Sequence, residues 1–366
     1  MVVRHPHRLP LLALGMLALL TGLWAGLARL GWDVPLPRPG FSSLHGPLMV
    51  SGFLGTLISL ERAVALGRPW AYATPLLTGL GGVSLIVGAP LLAAQLLMLA
   101  GSLGLVAIFA AIIRRHPALY TFTMGGGSLV WALGNLLWCL GWPVFLVVFW
   151  WAAFLVVTIA GERLELARLQ QVTGAAQATF LLLLGILLTG LLLLGWSFDG
   201  GVRLFGVGLA GLALWLGRHD IARRTVKQAG LTRFIAICLL TGYVWLGISG
   251  LSAMWFGGVP VGPQYDATLH AFFLGFVFAM IFAHAPIIFP AVLGARMTYR
   301  SLFYAHVVLL QVTLVVRLIG DAAGWSAGRQ VGGLLNAVTL LLFLVNTVSA
   351  LQSPPERAGT AQGRGA

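Results

Sequence analysis

The chain has 366 residues, of which 59% are apolar and only 8% charged, against about 25% charged in a soluble domain. That deficit excludes a soluble globular protein, and the apolar excess excludes a disordered chain. A net charge of +13, from 22 basic and 9 acidic residues, would suggest nucleic acid in a soluble protein. In a membrane protein the same excess marks cytoplasmic loops.

Apolar runs bounded by charge, proline and glycine give twelve candidate spans. In chain order they are 9–30, 44–60, 72–88, 91–113, 118–138, 143–160, 175–196, 202–217, 232–256, 267–289, 302–320 and 330–350. The expected fold is all-α: a polytopic membrane helix bundle forming one domain over 1–350, with a disordered cytoplasmic tail at 351–366. The first run follows Arg4 and Arg8 as a signal peptide would, but it is long and lacks a small-x-small cleavage site, so it reads as a retained span. No nucleotide-binding loop is visible, which excludes an ATP-driven pump working from this chain alone. The 48 glycines suit close helix packing, as at Gly22 and Gly26. Cys139 and Cys238 sit singly in apolar runs and read as core residues.

With the N-terminus inside, 17 of the 22 basic residues fall on the inner side, among them Arg4, Arg62, Arg163, Arg168, Arg357, Arg364 and the cluster Arg218–Arg233. Arg29, Arg38, Arg203, Arg317 and Arg329 remain on the outer side or at outer span ends. This asymmetry fits twelve spans with both termini inside. It makes the lipid bilayer the partner that the charge implies, and nucleic acid is not one. The central cluster is placed to meet anionic lipid, although topology alone accounts for it.

Polar residues inside spans are scarce and therefore informative. His5, His7, His116 and His219 fall in basic inner segments and read as solvated. His45, His270, His284 and His306 fall inside spans. The span directions put His45 and His270 near the outer face. His284 lies 14 residues beyond His270, about 21 Å deeper at 1.5 Å per residue, and pairs in depth with His306 near the inner face. On span 2 the corresponding second position is Ser59, so a stack of two haems is not supported.

Two imidazoles on facing helices are the axial set of an electron-transfer haem. Gly46, Gly52, Ala271 and Gly275 leave room for a porphyrin, and Arg317 is a candidate partner for a propionate. Arg317 equally fits an i,i+4 ion pair with Asp321. Copper is the competing ion: His45 and Met49 are four apart on one face, as are Asp266 and His270, and imidazole and thioether suit Cu(I). Interhelical hydrogen bonding is the plain alternative for all four histidines, above all for the inner pair, His284 and His306. Pro286 and Pro290 are expected to break span 10 and free carbonyls for it.

Two segments carry a family likeness. Leu44-His45-Gly46-Pro47-Leu48-Met49-Val50-Ser51-Gly52-Phe53 resembles the His-x3-Met-x2-Gly-Phe segment of the NnrS family. His270-Ala271-x3-Gly275-x4-Met280 resembles that family's His-Ala-x3-Gly-x4-Met segment. Where the family carries a second His followed by Glu, this chain has Pro47 and Leu48. The resemblance implies a twelve-span protein of the bacterial inner membrane holding haem b and copper, with a role in the nitric oxide response. The topology is also similar to subunit I of the haem–copper oxidases, whose low-spin haem is held from spans 2 and 10. The copper-site histidines of that family are missing here, so no complete oxidase or reductase centre is expected.

Together these readings expect a haem site at His45 and His270 with Arg317 at its edge, and a second site at His284 and His306. A metal set of His45, Met49 and His270 is the copper variant, and a redox partner or nitric oxide is the implied counterpart. A proton-coupled secondary transporter using His284 is the alternative outside metal chemistry.

Overall fold

A computed structural model of the chain describes residues 5–167 and 173–352. Arg4, Arg168, Arg357, Arg364 and the rest of the expected tail, 353–366, lie outside the described residues. The fold is all-α, with 84% of residues in helices.

Twelve long helices occupy the twelve expected spans. They are α1 (Leu9–Arg29), α2 (Phe41–Leu66), α3 (Pro69–Val87), α4 (Leu91–Arg115), α5 (Leu119–Cys139), α6 (Val144–Ala167), α7 (Gly174–Leu193), α8 (Phe198–His219), α9 (Gly230–Phe256), α10 (Pro263–Leu293), α11 (Phe303–Ala322) and α12 (Ser326–Ser349). Among the described residues, eleven of these are long and apolar enough to cross a membrane. The remaining one, α5, has 21 residues but carries Thr121, Thr123, three consecutive glycines and Asn135, which make it less apolar.

Short links make sequence neighbours pack side by side: α3 with α4, α5 with α6, α8 with α9, and α11 with α12. Helix ends are set by local chemistry. Thr173 and Ser197 cap α7 and α8 by accepting backbone N–H groups through their side chains. Gly294 ends α10 at φ +64°, a left-handed backbone that favours glycine. The C-terminal halves of α2 and α10 pack against each other, and α10 also lies against α9 and α11.

Three features depart from expectation. The prolines do not break span 10: α10 runs through Pro286 and Pro290 to Leu293, and Arg8 donates to the carbonyls of Ala291 and Val292 at its end. The tail does not begin at 351: Leu351–Gln352 pair antiparallel with Arg296–Met297, forming strands β2 and β1 of a small ladder that ties the end of α12 to the α10–α11 link. Finally, α2 and α10 are not uniform. Each contains a seven-residue π-helical segment, Leu48–Leu54 and Ala271–Val277. Such wide turns are rare and frequently mark functional positions.

The π segment of α2 is held from outside itself. Ser51 Oγ accepts from Trp131 Nε1 at 3.2 Å and donates to Asn135 Oδ1 at 3.3 Å, and Trp151 Nε1 donates to the same oxygen at 2.9 Å. This buried network joins α2, α5 and α6, and such fully satisfied networks rigidify a core. One turn further in, Phe53 and Phe278 stack with ring centres 6.2 Å apart. Cys238 is buried and Cys139 half-buried, both as free thiols.

Candidate functional site

The site is assembled where α1, α2, α10, α11 and α12 converge. A cavity of about 530 Å³ opens there, within the range of small-molecule and cofactor pockets. His45 and His270 both line it, with ring centres 6.1 Å apart and planes 20° from parallel. The sequence placed these two residues at one depth on separate helices, and the fold brings them face to face.

Packing explains why His45 stands where it does. A Cβ on Gly26 would lie 2.7 Å from His45 Nδ1, and one on Gly22 would lie 2.8 Å from Met49 Sδ. The small-residue stripe of α1 therefore forms the seat for these two side chains of α2. On α10, Gly275 plays the matching role toward α9, since a Cβ there would come within 2.4 Å of the Trp245 ring. Trp245 in turn donates to Gln311 of α11.

The protonation of both rings follows from their partners. His45 Nδ1 lies 2.8 Å from the Gly22 carbonyl, and His270 Nδ1 lies 2.9 Å from the Asp266 carbonyl. A carbonyl only accepts, so each ring donates from Nδ1, and Nε2 is the nitrogen left for another partner. This is the orientation that outer-shell partners impose on a metal-binding histidine.

Arg317 is present at the site, but its partner is not the expected one. Its Nε and Nη2 each donate to Asp266 at 2.9 Å, a bidentate pair across helices. Asp266 Oδ1 is also 3.1 Å from His270 Nδ1. Asp321 instead faces Arg329 at 3.9 Å, and neither of its buried oxygens has a hydrogen bond. The expected Arg317–Asp321 pair does not form because the tertiary partner offers both oxygens in a planar fork.

Met49 lines the cavity one turn below His45, packed on Gly22. Among the described residues no group of three or more His, Cys, Asp or Glu converges as a metal site. A bare copper ion would thus have two imidazoles and a thioether, whereas a haem brings four nitrogen donors of its own and needs only the two imidazoles.

His284 and His306 are not brought together. His284 Nδ1 donates to its own Met280 carbonyl at 2.6 Å, and Arg163 donates to its Nε2 at 3.4 Å. The carbonyl it satisfies is not one freed by a proline. His306 is buried in a cage of Phe282, Phe303 and Phe343 and meets Asn346 at 3.3 Å. Shared depth did not imply shared azimuth, and no contact joins the pair.

The sequence reading missed two groups. At the cavity these are Arg29, Arg329, Tyr265 and Asn336; isolated polar residues in the apolar α12 were the available signal for Asn336. At the opposite end of the bundle, Arg62 bonds Glu162, Arg163 lies 3.9 Å from Asp220, and Tyr243 donates to Asp220 at 2.7 Å. Arg62 and Arg163 were read as loop charges. Both are held inside helices that extend beyond the apolar runs, and the Glu-Arg pair recurring at 61–62 and 162–163 was the available signal.

No curated protein and no solved structure matches this chain. A family model described as a domain of unknown function, DUF8744, matches residues 8–352 and takes in every element of the site. The chain therefore belongs to the DUF8744 family.

Proposed function

We propose that the protein is a haem-binding electron-transfer protein of the bacterial inner membrane, with His45 and His270 as the two axial ligands. The observation that carries this reading is the pair itself: two imidazoles anchored through Nδ1, with ring centres 6.1 Å apart on the lining of a cofactor-sized cavity. Haem b would supply a one-electron couple at this point. The chain's own residues do the rest. Gly22 and Asp266 fix the ring tautomers, Arg317 holds Asp266, and apolar walls including Leu54, Phe273 and Phe278 exclude water. Held by two protein imidazoles, a haem would supply electron transfer rather than reduction of a bound gas. The NnrS-like segments support the same ligand pair, and the nitric oxide role they imply would require one imidazole to leave.

The transporter reading is less favoured. The Phe53–Phe278 stack lies beneath the histidines, between the cavity and the polar cluster at His284, whereas carriers place broken, polar helices at that depth.

The test is the absorption spectrum of protein purified from haem-replete cells. A Soret band with the narrow visible bands of a six-coordinate haem is expected. It should change in His45→Ala and in His270→Ala and vanish in the double variant. No Soret band, or one indifferent to both substitutions, would overturn the proposal.

A further inference from the structure

We infer that Arg29, Arg329 and Asn336 form a carboxylate-binding subsite at the edge of the cavity, so that the ligand it accepts is a porphyrin carrying free acid groups. The inference rests on the haem reading above and adds which face of the ligand is recognised, and by what.

The polar groups at the cavity divide into those already partnered and those that are not. Three arginines and one carboxylate line it among the described residues: Arg29, Arg317, Arg329 and Asp266. Arg317 is engaged twice by Asp266, and Asp266 also meets His270. Arg317, the residue the sequence offered for a propionate, thus spends its Nε and Nη2 on Asp266 and has only part of its guanidinium left.

The remaining groups have capacity to spare. Arg29 makes no hydrogen bond or ion pair among the described residues. Arg329 reaches only Asp321, at 3.9 Å, and its buried Nε has no hydrogen-bond partner. Asn336 is 2% exposed, and neither its amide nitrogen nor its oxygen is bonded. A buried amide with nothing to bond is unfavourable and uncommon in a native structure, and this one faces a cavity. Its NH₂ group and the two guanidinium groups are all donors, and donors of this kind match carboxylate oxygens.

The three residues come from two helices, α1 and α12, neither of which supplies a proposed axial ligand. The subsite thus recognises the polar periphery of the ligand, while α2 and α10 hold its centre. Asp321 stands behind Arg329 and partly offsets its charge, leaving Arg29 and Asn336 as the least committed donors.

The test is a titration of full-length apoprotein, purified in detergent from haem-limited cells, with iron protoporphyrin IX and separately with its dimethyl ester. Both share the iron and the ring, and only the first has carboxylates. The Soret band at saturation reports binding. The free acid is expected to bind at least about tenfold more tightly than the ester, as loss of charge-assisted hydrogen bonds implies. The preference should disappear in an Arg29→Gln/Arg329→Gln variant and shrink in Asn336→Leu, while each variant still binds the ester as the unaltered protein does. Retained ester binding also reports that the variant is folded. Equal affinity for both porphyrins in the unaltered protein would overturn the subsite and leave the axial pair standing. Binding of neither would overturn both proposals.

Discussion

Arg317 gives two parallel hydrogen bonds to Asp266, 51 residues away in sequence, and none to Asp321 on its own helix. The pair ties α11 to α10 at the level of His270, and the same carboxylate touches the histidine's Nδ1. Removing the arginine leaves a mostly buried carboxylate without its main partner. Arg317→Met should therefore lower stability by about 3–5 kcal/mol, the usual result of breaking a buried pair on one side, as measured by denaturant unfolding in detergent. Asp266→Asn keeps the shape but weakens the hold on the ring. It should reduce haem affinity by about 10–100-fold, the range for outer-shell partners of metal ligands, read as faster transfer of haem to apomyoglobin.

The glycine seat makes a paired prediction. At Gly26 an added methyl would meet the imidazole of His45 at 2.7 Å, while at Gly22 it would meet the flexible end of Met49 at 2.8 Å. Methionine adapts its rotamer readily and a hydrogen-bonded ring does not. Gly26→Ala should alter the Soret band or abolish it, whereas Gly22→Ala should leave the band in place. Equal effects would show that the seat does not act through His45.

Met49 separates haem from copper. Met49→Leu preserves volume, and such exchanges usually cost less than about 1.5 kcal/mol. Haem content and spectrum should be unchanged. A fall in bound copper with no haem at either stage would instead favour the metal set of His45, Met49 and His270.

His284 and His306 should be spectroscopically silent. His306→Leu replaces a caged ring with an apolar side chain, and neither that variant nor His284→Leu should change the haem content per protein. A drop in haem stoichiometry in either variant would revive a second site. Arg163→Met is the stronger perturbation at that end. It leaves Asp220 with only the Tyr243 hydroxyl and the Ala222 N–H and should destabilise the protein by about 3–5 kcal/mol without altering the spectrum.

The sequence made some of this legible for identifiable reasons. Lipid demands long apolar runs, so the helix series from Leu9 to Ser349 was readable from hydropathy. The positive-inside pattern gave each span a direction and so put His45 and His270 at one level. Hydropathy marks where apolar runs stop, however, and not where helices stop. Arg62 and Arg163 lie beyond the runs ending at 60 and 160 but inside helices reaching Leu66 and Ala167, which is why their buried pairing was invisible. The π segments left no trace, because they depend on partners such as Trp131 and Trp245 that only the fold brings near. Depth alone cannot give azimuth, so His284 and His306 looked like a pair. The choice between Asp321 and Asp266 for Arg317 likewise depended on a neighbour distant in sequence.

The site lies at one end of the bundle, with the stacked rings of Phe53 and Phe278 beneath it, and among the described residues no second pair of histidines in ring contact continues the series toward the other end. With haem held here, an electron that arrived and left at this end of the bundle would stay on one side of the membrane. Charge moved in that way crosses little of the transmembrane field, where each 100 mV is worth about 2.3 kcal/mol per charge. On this reading the protein exchanges reducing equivalents along one surface and neither consumes nor builds the membrane potential.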